Sequence, residues 1–401
     1  MQTGPGTRAR GDEGGQRGGG QAQRPRVHPQ RAIAYRIAAH GLNTRRSASL
    51  LTPVAAACGM PDVPAGSAAI ALHARLHRLD RLRVSLAVRQ GELVTLWGPR
   101  RTTCLVPAGD VLTFGLGALP DREDALRTAL GADLEPVTAA GLSATAAVVV
   151  VATAVSEALH QAALAKDELS AALHGRIPVA LESWCGACRA DHVPEAMFRL
   201  ATVAAGALPQ GSHPVRFALR GTSLADVSDG DLEAARLELV RRYLRCFGPA
   251  TPEQFAAWAG TGPEDARRRW AALRAELVEM ELQGRVWMLR EGLGMLRDPP
   301  PGRGARLLPP GDPFLGQRDR ATLLPDFDGR RRLWRPAGGP GLVLLDGEPI
   351  ALWRSRSSLH RLEVRLEPLR DIGPLEREEI AAEAQQLAEF RGETEAVLAL
   401  G

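Results

Sequence analysis

The chain almost lacks two common polar residues: Lys166 is the only lysine and Asn43 the only asparagine among 401 residues. Its positive charge is therefore carried almost entirely by arginine, which indicates a coding bias along the whole chain. Because the bias acts along the whole chain, a single arginine in this sequence is weak evidence for bidentate recognition of a carboxylate or phosphate.

Cysteine is also scarce, and the five residues are Cys58, Cys104, Cys185, Cys188 and Cys246. An odd number at wide spacing, with no secretory signal, argues against a disulfide-stapled secreted domain and favours a reducing cytoplasm. The apolar run at residues 144–155 is shorter than the roughly 20 residues of a membrane-spanning helix. A buried helix is therefore expected there, and no membrane partner.

The basic pI of about 9.1 has its source at one end of the chain. Residues 1–31 contain six arginines and two acidic residues, a net charge of +4, which equals that of the whole chain. Residues 1–28 are rich in glycine, glutamine and arginine and have no apolar core to bury, so they are predicted to form a disordered basic tail. The tail is either an arm that binds DNA or the product of a reading frame whose start is assigned too far upstream.

Residues 241–289 carry the clearest local pattern. Apolar residues at helical spacing end at Gly248-Pro249, and Thr251 with Gln254 forms a capping box that opens a second helix. Gly262-Pro263 opens a third helix, after which the apolar period changes to two and predicts a β-hairpin. This is the order of a winged helix-turn-helix, whose third helix often enters the DNA major groove. A scaffold without DNA contact is the alternative.

The third helix of this unit and the turn after it supply candidate DNA contacts, namely Arg267, Arg268 and Arg274. Only Arg268 points squarely away from the apolar stripe, and Glu264 and Asp265 share that outer face. The helix is therefore not a uniformly basic surface, and DNA binding needs support from elsewhere in the chain.

The same order occurs earlier in the chain. Helices are predicted at residues 29–41, 50–57 and 66–79, and two strands at residues 92–107 around Gly98-Pro99-Arg100-Arg101. Arg100 and Arg101 lie at the tip of this predicted wing, where phosphate contacts would be made; a solvated turn is the alternative. A third, less regular cycle has helices at residues 119–132, 141–164, 166–174 and 193–206 and a strand at residues 215–219.

A possible metal motif lies within that irregular cycle. Cys185 and Cys188 form a C-x-x-C pair, and His192 follows closely, which is half of a zinc site. A fourth ligand is missing at any familiar spacing. A packed turn of cysteine and Trp184 is therefore expected, and neither a metal nor another cofactor is predicted.

The composition changes after residue 298. A proline- and glycine-rich linker leads to a hairpin around Asp346-Gly347, a half-exposed strand at residues 362–367 and a closing amphipathic helix. The predicted fold class is α+β, with tandem winged helix-turn-helix units followed by a C-terminal β-rich α+β domain. The predicted boundaries are 1–28 for the tail, 29–120, 121–220 and 221–298 for the three units, and 299–401 for the last domain.

Six separated segments resemble, in order, the bacterial winged-helix DNA-binding proteins related to the AlkZ and YcaQ DNA glycosylases. The segments are residues 58–75, 97–107, 166–169 with 184–192, 242–260, 307–320 and 345–356. The resemblance implies three tandem winged helices and a β-rich domain around a DNA channel. It also implies duplex DNA as the partner, with no small-molecule cofactor.

The glycosylases of this family resemble one another in a Gln-apolar-Gln or Gln-apolar-Asp motif that positions water. The resemblance places this motif at Pro61-Asp62-Val63. Pro61 has no polar side chain and no N–H, and Val63 is apolar and stiff. Only Asp62 could act on water, and only if the register shifts by one residue. Arg101 also departs from the family, where many relatives have glycine.

These departures favour a winged-helix DNA-binding protein without glycosylase chemistry. The first alternative is a DNA glycosylase that excises alkylated bases in repair or self-resistance, with Asp62 as the one candidate catalytic residue. The second alternative is a winged-helix module that binds protein, because residues 32–401 carry no net charge when histidine is neutral.

Overall fold

The structure is a computed structural model that describes residues 1–2, 4, 24–211, 214–335 and 338–400. Most of the tail predicted for residues 1–28 therefore lies outside the described residues. Its last few residues contact a hairpin far along the chain. The Val27 N–H donates to the Glu281 carbonyl at 2.9 Å, and Arg24 forms an ion pair with Glu279. Residues 24–28 are thus held against this hairpin and do not form a free tail.

Helices and strands are mixed along the whole chain, so the predicted α+β class is confirmed. The first part of the chain, residues 29–107, alternates short helices and short strands and ends in a hairpin. Its helices are α1 (Pro29–Ala39), α2 (Leu51–Ala56), α3 (Ser67–His73) and α4 (Arg81–Arg89). Its strands are β1 (Arg46–Ser47), β2 (Met60–Pro61), β3 (Leu76–His77), β4 (Leu93–Trp97) and β5 (Thr103–Pro107). Strand β2 joins the hairpin as a third strand, in the order β2–β5–β4.

The second part is mainly helical. Its helices are α5 (Val111–Phe114), α6 (Glu123–Leu130), α7 (Leu134–Ala139), α8 (Ala144–Leu159), α9 (Lys166–Leu173) and α10 (Glu195–Ala204). Its strands are β6 (Leu164–Ala165), β7 (Ser183–Cys185), β8 (Ala190–His192), β9 (Ala207–Gln210) and β10 (Arg216–Leu219). Strands β6, β10 and β9 form one small sheet, and β7 with β8 forms a separate hairpin between α9 and α10.

The third part follows the pattern predicted for residues 241–289. Its elements are α11 (Asp229–Phe247), α12 (Pro252–Ala259), α13 (Pro263–Ala272), β11 (Leu277–Glu281), β12 (Arg285–Leu289) and α14 (Leu293–Arg297). The capping box at the start of α12 is present, since Thr251 and Gln254 exchange hydrogen bonds between side chain and backbone. Strands β11 and β12 pair along their full length. Tandem winged helices agree with this element order, and the domain boundaries stay a prediction.

The C-terminal part is built on one five-stranded sheet. Its elements are β13 (Ala305–Leu308), α15 (Arg320–Leu323), α16 (Phe327–Leu333), β14 (Gly341–Leu345), β15 (Glu348–Ser358), β16 (Arg361–Pro368), α17 (Pro374–Arg391) and β17 (Glu395–Leu400). The strand order is β13–β14–β15–β16–β17, and only the last pair is parallel. Some of its buried residues share one hydrophobic core with α2, α3 and α4 of the first part, and others pack in a second core with α1, α15 and α16.

Three features differ from the sequence-based expectations. Helix α3 ends at His73 and not near residue 79, because the chain pairs with β1 at Leu76 and reverses at Arg78, where φ is +50°. Helix α4 has no counterpart among the helices predicted from the sequence. The closing helix expected from the sequence is α17, but it ends at Arg391 and the chain continues into β17, which pairs with the distant β16.

The apolar run predicted to form a buried helix lies in α8, and eight of the sixteen residues of α8 are buried. Within the described part of the chain, no single helix has the length and apolar composition to cross a membrane. One bent pair, Glu123–Ala139 with Ala144–Leu159, meets that test by length and composition alone.

Candidate functional site

Asp62 is held at a defined place beside the first hairpin. Strand β2 pairs with β5, and the Asp62 N–H continues this pairing by donating to the Thr103 carbonyl at 2.8 Å. The Asp62 carboxylate accepts a hydrogen bond from the Ala68 N–H at 2.9 Å. A carboxylate is stabilised near a helix N-terminus, so one oxygen is fixed by the first turn of α3.

A cleft of about 800 Å³ opens beside Asp62, between α4 and the β9–β10 hairpin. Its wall also includes Arg81, Arg89 and Arg220. Pro61 is tied into the sheet through β5, whereas Val63 is 52% exposed and presents only an apolar side chain. The three motif positions therefore offer a single polar side chain, that of Asp62.

The loop that follows β13 of the C-terminal sheet closes over this motif. Gly311 has φ +78° and lies so close to the motif that a Cβ atom on it would stand 2.3 Å from the Val63 carbonyl oxygen. Only glycine combines the left-handed backbone with this close approach. The segment 307–320 is thereby placed next to residues 61–64.

The wing tip of the first hairpin is wedged between two helices. Arg100 and Arg101 both have positive φ values, +54° and +57°, which is uncommon for residues other than glycine. Gly260, at the end of α12, packs directly on the Arg100 backbone, and Arg199 of α10 donates to the Arg101 carbonyl at 2.9 Å. The backbone of the tip therefore packs against α10 and α12, while the Arg100 side chain stays exposed to solvent.

Two further arginines complete a cationic cluster that sequence reasoning missed. Burial and then repulsion from Arg100 and Arg320 lower the pKa of Arg318 to about 10. Burial and repulsion from Arg320 lower the pKa of Arg100, and burial with repulsion from Arg199 and Arg100 lowers that of Arg101. Arg100 is exposed, and it lies close enough to Arg318 for their charges to repel. We define Arg100, Arg101, Arg318 and Arg320 as the arginine cluster.

The arginine cluster has no carboxylate neighbour that offsets its charge among the described residues. Two guanidinium nitrogens of Arg318, Nε and Nη2, are buried and have no hydrogen-bond partner among the residues that the structure describes. Arg320 instead stacks on the Trp334 ring at 5.0 Å. Buried donors of this kind need an acceptor from outside the described residues, and their positive charge suits water or an anion such as a phosphate oxygen.

Buried ion pairs fix the segment that carries Arg318 and Arg320. Asp319, which lies between these two arginines, bonds Arg36 of α1 at 2.8 Å. Asp312 bonds the buried Arg75 through two hydrogen bonds of 2.7 and 2.8 Å. Asp312 and Asp319 both lie in segment 307–320, which is one of the six segments that carry the family resemblance. That resemblance is the one sequence signal that points to this part of the site.

The three predicted contacts of the third part lie in a different environment. Arg267 pairs with Glu253 and Glu264. Arg268 pairs with Asp121 and lies close to Glu233 and Asp265, and Arg274 pairs with Glu279. Helix α13 also packs against the second part, since a Cβ on Gly262 would stand 3.0 Å from Ala125. These neutralised arginines are weaker candidates for phosphate contact than the arginine cluster.

Two groups of side chains have metal-ligand chemistry. His40, Cys58 and Cys246 meet in the interior, where the neighbouring Cys246 thiol and burial raise the pKa of Cys58. Cys185, Cys188 and His192 meet on the β7–β8 hairpin. No sequence spacing reveals the first group.

The turn predicted to pack Trp184 with the cysteines is different in the structure. Trp184 is 65% exposed, because the β7–β8 hairpin projects from the helical body. Backbone N–H groups of Cys188 and Ala187, with the His192 side chain, lower the pKa of the Cys185 thiol to about 7. The turn is therefore exposed to solvent and is not packed against the helical body.

Comparison with known proteins identifies a family and similar proteins from one organism. The family model described as DNA glycosylase AlkZ-like matches residues 54–390. The interstrand DNA cross-link repair glycosylase of Streptomyces sahachiroi is 31% identical over 123 residues, which is 29% of this chain and 33% of that relative. The chain thus spans about a third of the length of this curated relative. The solved structure of Streptomyces sahachiroi DNA glycosylase AlkZ has a similar fold, with a TM-score of 0.74 and 20% identity over 94% of this chain and all of that one.

Proposed function

The chain belongs to the DNA glycosylase AlkZ-like family, and from this premise we propose that it is a DNA glycosylase that releases a damaged base from duplex DNA. The sequence alone favours DNA binding without this chemistry, with the glycosylase as the alternative. Family membership supports the alternative. The observation that carries the proposal is the Asp62 carboxylate, held by the Ala68 N–H beside an open cleft.

The arginine cluster supplies the DNA contact in this proposal. Phosphate oxygens are bound well by arginine, whose planar fork can donate two parallel hydrogen bonds. The unpartnered buried nitrogens of Arg318 support an anionic ligand at this place. Such contacts position the duplex and carry no sequence information, which agrees with an enzyme that acts on lesions in many sequences.

Asp62 supplies the chemistry. As the bond from C1′ to the base breaks, the electron pair leaves with the base and positive charge grows on the sugar. A carboxylate close to the sugar stabilises this charge, and it accepts a proton from the water that adds to C1′. One carboxylate oxygen of Asp62 accepts the hydrogen bond from the Ala68 N–H. The other oxygen is the one that binds the water in this proposal.

The cleft beside Asp62 is the proposed place for the nucleotide. Enzymes that act on a base must take it out of the stack into a pocket. A volume of about 800 Å³ lies within the range of ligand pockets, roughly 300–1,000 Å³. Arg81, Arg89 and Arg220 in its wall add positive charge for the flanking phosphates.

A second candidate function is DNA binding without base release. Pro61 and Val63 favour it, because neither side chain can hold water at the two positions where glycosylases of the family carry polar residues. It shares the arginine cluster with the first candidate, and the two differ only in the role of Asp62.

We expect the protein to bind a duplex with a cationic pyrrolidine in place of one deoxyribose at least about 10²-fold more tightly than an undamaged duplex. The pyrrolidine mimics the positive sugar, and a catalyst binds the mimic of its transition state better than its substrate. The measurement is competition binding at fixed salt. Asp62→Ala should lose most of the preference, whereas equal affinity for the two duplexes would favour the second candidate.

Replacing Arg318 and Arg320 together with alanine should weaken binding to any duplex. It should also lower the slope of log affinity against log salt by about 2, because each lost phosphate contact lowers it by about 1. Fluorescence anisotropy over a salt series measures both quantities. Arg267→Ala is the matched control, since its guanidinium is already paired with two glutamates.

The same titration is repeated for Arg100→Ala with Arg101→Ala and for a chain that begins at residue 24. The truncation removes residues 1–23 of the basic tail and keeps the residues that pair with the β11–β12 hairpin. An unchanged salt slope in both double variants would place the DNA contact outside the arginine cluster.

A further inference from the structure

The β7–β8 hairpin brings three ligand atoms together. Strand pairing places Ser183 opposite His192 and Cys185 opposite Ala190. Arg189 closes the turn with φ +52° and donates its N–H to the Cys185 carbonyl at 2.7 Å. As a result, the two sulfur atoms of Cys185 and Cys188 and a ring nitrogen of His192 all lie within 4.8 Å of one another.

The histidine ring is in the state that a metal ligand needs. His192 Nδ1 lies 2.9 Å from the Val193 carbonyl oxygen, which can only accept a hydrogen bond, so Nδ1 carries the proton. Nε2 is then left with a free lone pair, and it is buried with no hydrogen-bond partner among the described residues. Metal-binding histidines characteristically donate their second nitrogen to a carbonyl or carboxylate.

We propose that the β7–β8 hairpin binds one zinc ion through Cys185 Sγ, Cys188 Sγ and His192 Nε2, with water in the fourth position. Two thiolates and an imidazole select zinc over hard cations such as magnesium. The ligand atoms need only a small closure to reach Zn–S distances of about 2.3 Å and Zn–N distances of about 2.0–2.1 Å. Binding releases the two thiol protons to solvent.

The site has a structural consequence for the wing tip. His192 is followed by Val193, which is buried in the core of the second part, and then by α10. Arg199 of α10 donates to the Arg101 carbonyl at the wing tip. A metal on the hairpin fixes the start of the helix that holds this tip. This assignment is independent of the chemistry proposed for Asp62.

The test is the zinc content of the full chain, purified without a polyhistidine tag and dialysed against metal-free buffer. We expect about one zinc ion per chain, and less than about a tenth of that in the Cys185→Ser/Cys188→Ser double variant. Cys104→Ala is the control, because this buried thiol belongs to the first hairpin and its loss should leave the zinc content unchanged. Equal zinc content in wild type and double variant would overturn the proposal.

A pair of substitutions at the histidine separates ligation from folding. His192→Gln should lose the zinc and His192→Cys should keep it, because only the second variant retains a strong metal donor. Cobalt binding gives a second readout, since thiolate-to-cobalt absorption reports sulfur ligation directly. If thiol titration of the unreduced, unfolded chain finds three thiols and not all five, a Cys185–Cys188 disulfide replaces the metal and the proposal fails.

Discussion

Asp312→Ala is expected to lower the free energy of unfolding by about 3–5 kcal/mol. The side chains of Arg75 and Asp312 are 1% and 0% exposed, and two hydrogen bonds join them. Removing the carboxylate leaves a buried guanidinium without its counter-charge, which costs far more than the pair itself contributes. Arg75 also donates to the carbonyls of His40 and Ala71, so it cannot turn out to solvent without breaking these bonds.

Urea unfolding followed by circular dichroism measures this loss. Asp328→Ala is the matched control, since it removes a 57% exposed carboxylate that pairs with Arg331 and Arg332 and should cost less than about 1 kcal/mol. The double variant Arg75→Met with Asp312→Leu should recover much of the stability, because no unpaired charge remains. A loss below 1 kcal/mol in Asp312→Ala would mean that this ion pair does not hold segment 307–320 in place.

Asp62→Ala is expected to slow base excision by about 10²- to 10⁴-fold, the usual contribution of one acid–base group. The affinity for duplex DNA should change little, because the arginine cluster is untouched. Single-turnover rates on a duplex with one N7-alkylated guanine measure the effect. Asp62→Asn is the informative partner variant: its side-chain oxygen can still accept from the Ala68 N–H, but it cannot take a proton from water.

Equal loss of rate in the alanine and asparagine variants would assign the effect to the charge of Asp62. A rate that survives Asp62→Ala would instead place the catalytic group elsewhere, and the motif would not be at residues 61–63. The variant also removes a hydrogen bond at the start of α3, which costs about 0.5–2 kcal/mol of stability. Rates are therefore compared at a temperature where both proteins are folded.

Features with local causes could be predicted from the sequence. The change of apolar period predicted the hairpins β4–β5 and β11–β12, and the Thr251–Gln254 capping box fixed the start of α12. The Asp346-Gly347 turn predicted the β14–β15 hairpin in the same way. In each case a few neighbouring residues determine the backbone, so their identity is sufficient.

Features made by distant residues could not be predicted. Arg318 gains its buried, unpartnered state only when the loop after β13 packs beside the wing tip, which lies more than 200 residues earlier in the chain. Strand β17 has a weak apolar alternation and is held by β16. Sequence patterns also suggested Arg267 and Arg268, but the carboxylates that neutralise them come partly from other elements.

The most direct test of the central claim is the release of free base by the unmodified protein. Excess protein is incubated with a duplex that carries one N7- or N3-alkylated purine, and the free base and abasic strand are both quantified. If the protein is a glycosylase, the two products should form in equal amounts while an undamaged duplex stays intact. Saturating DNA binding with no free base from either lesion would contradict glycosylase function and leave DNA binding alone.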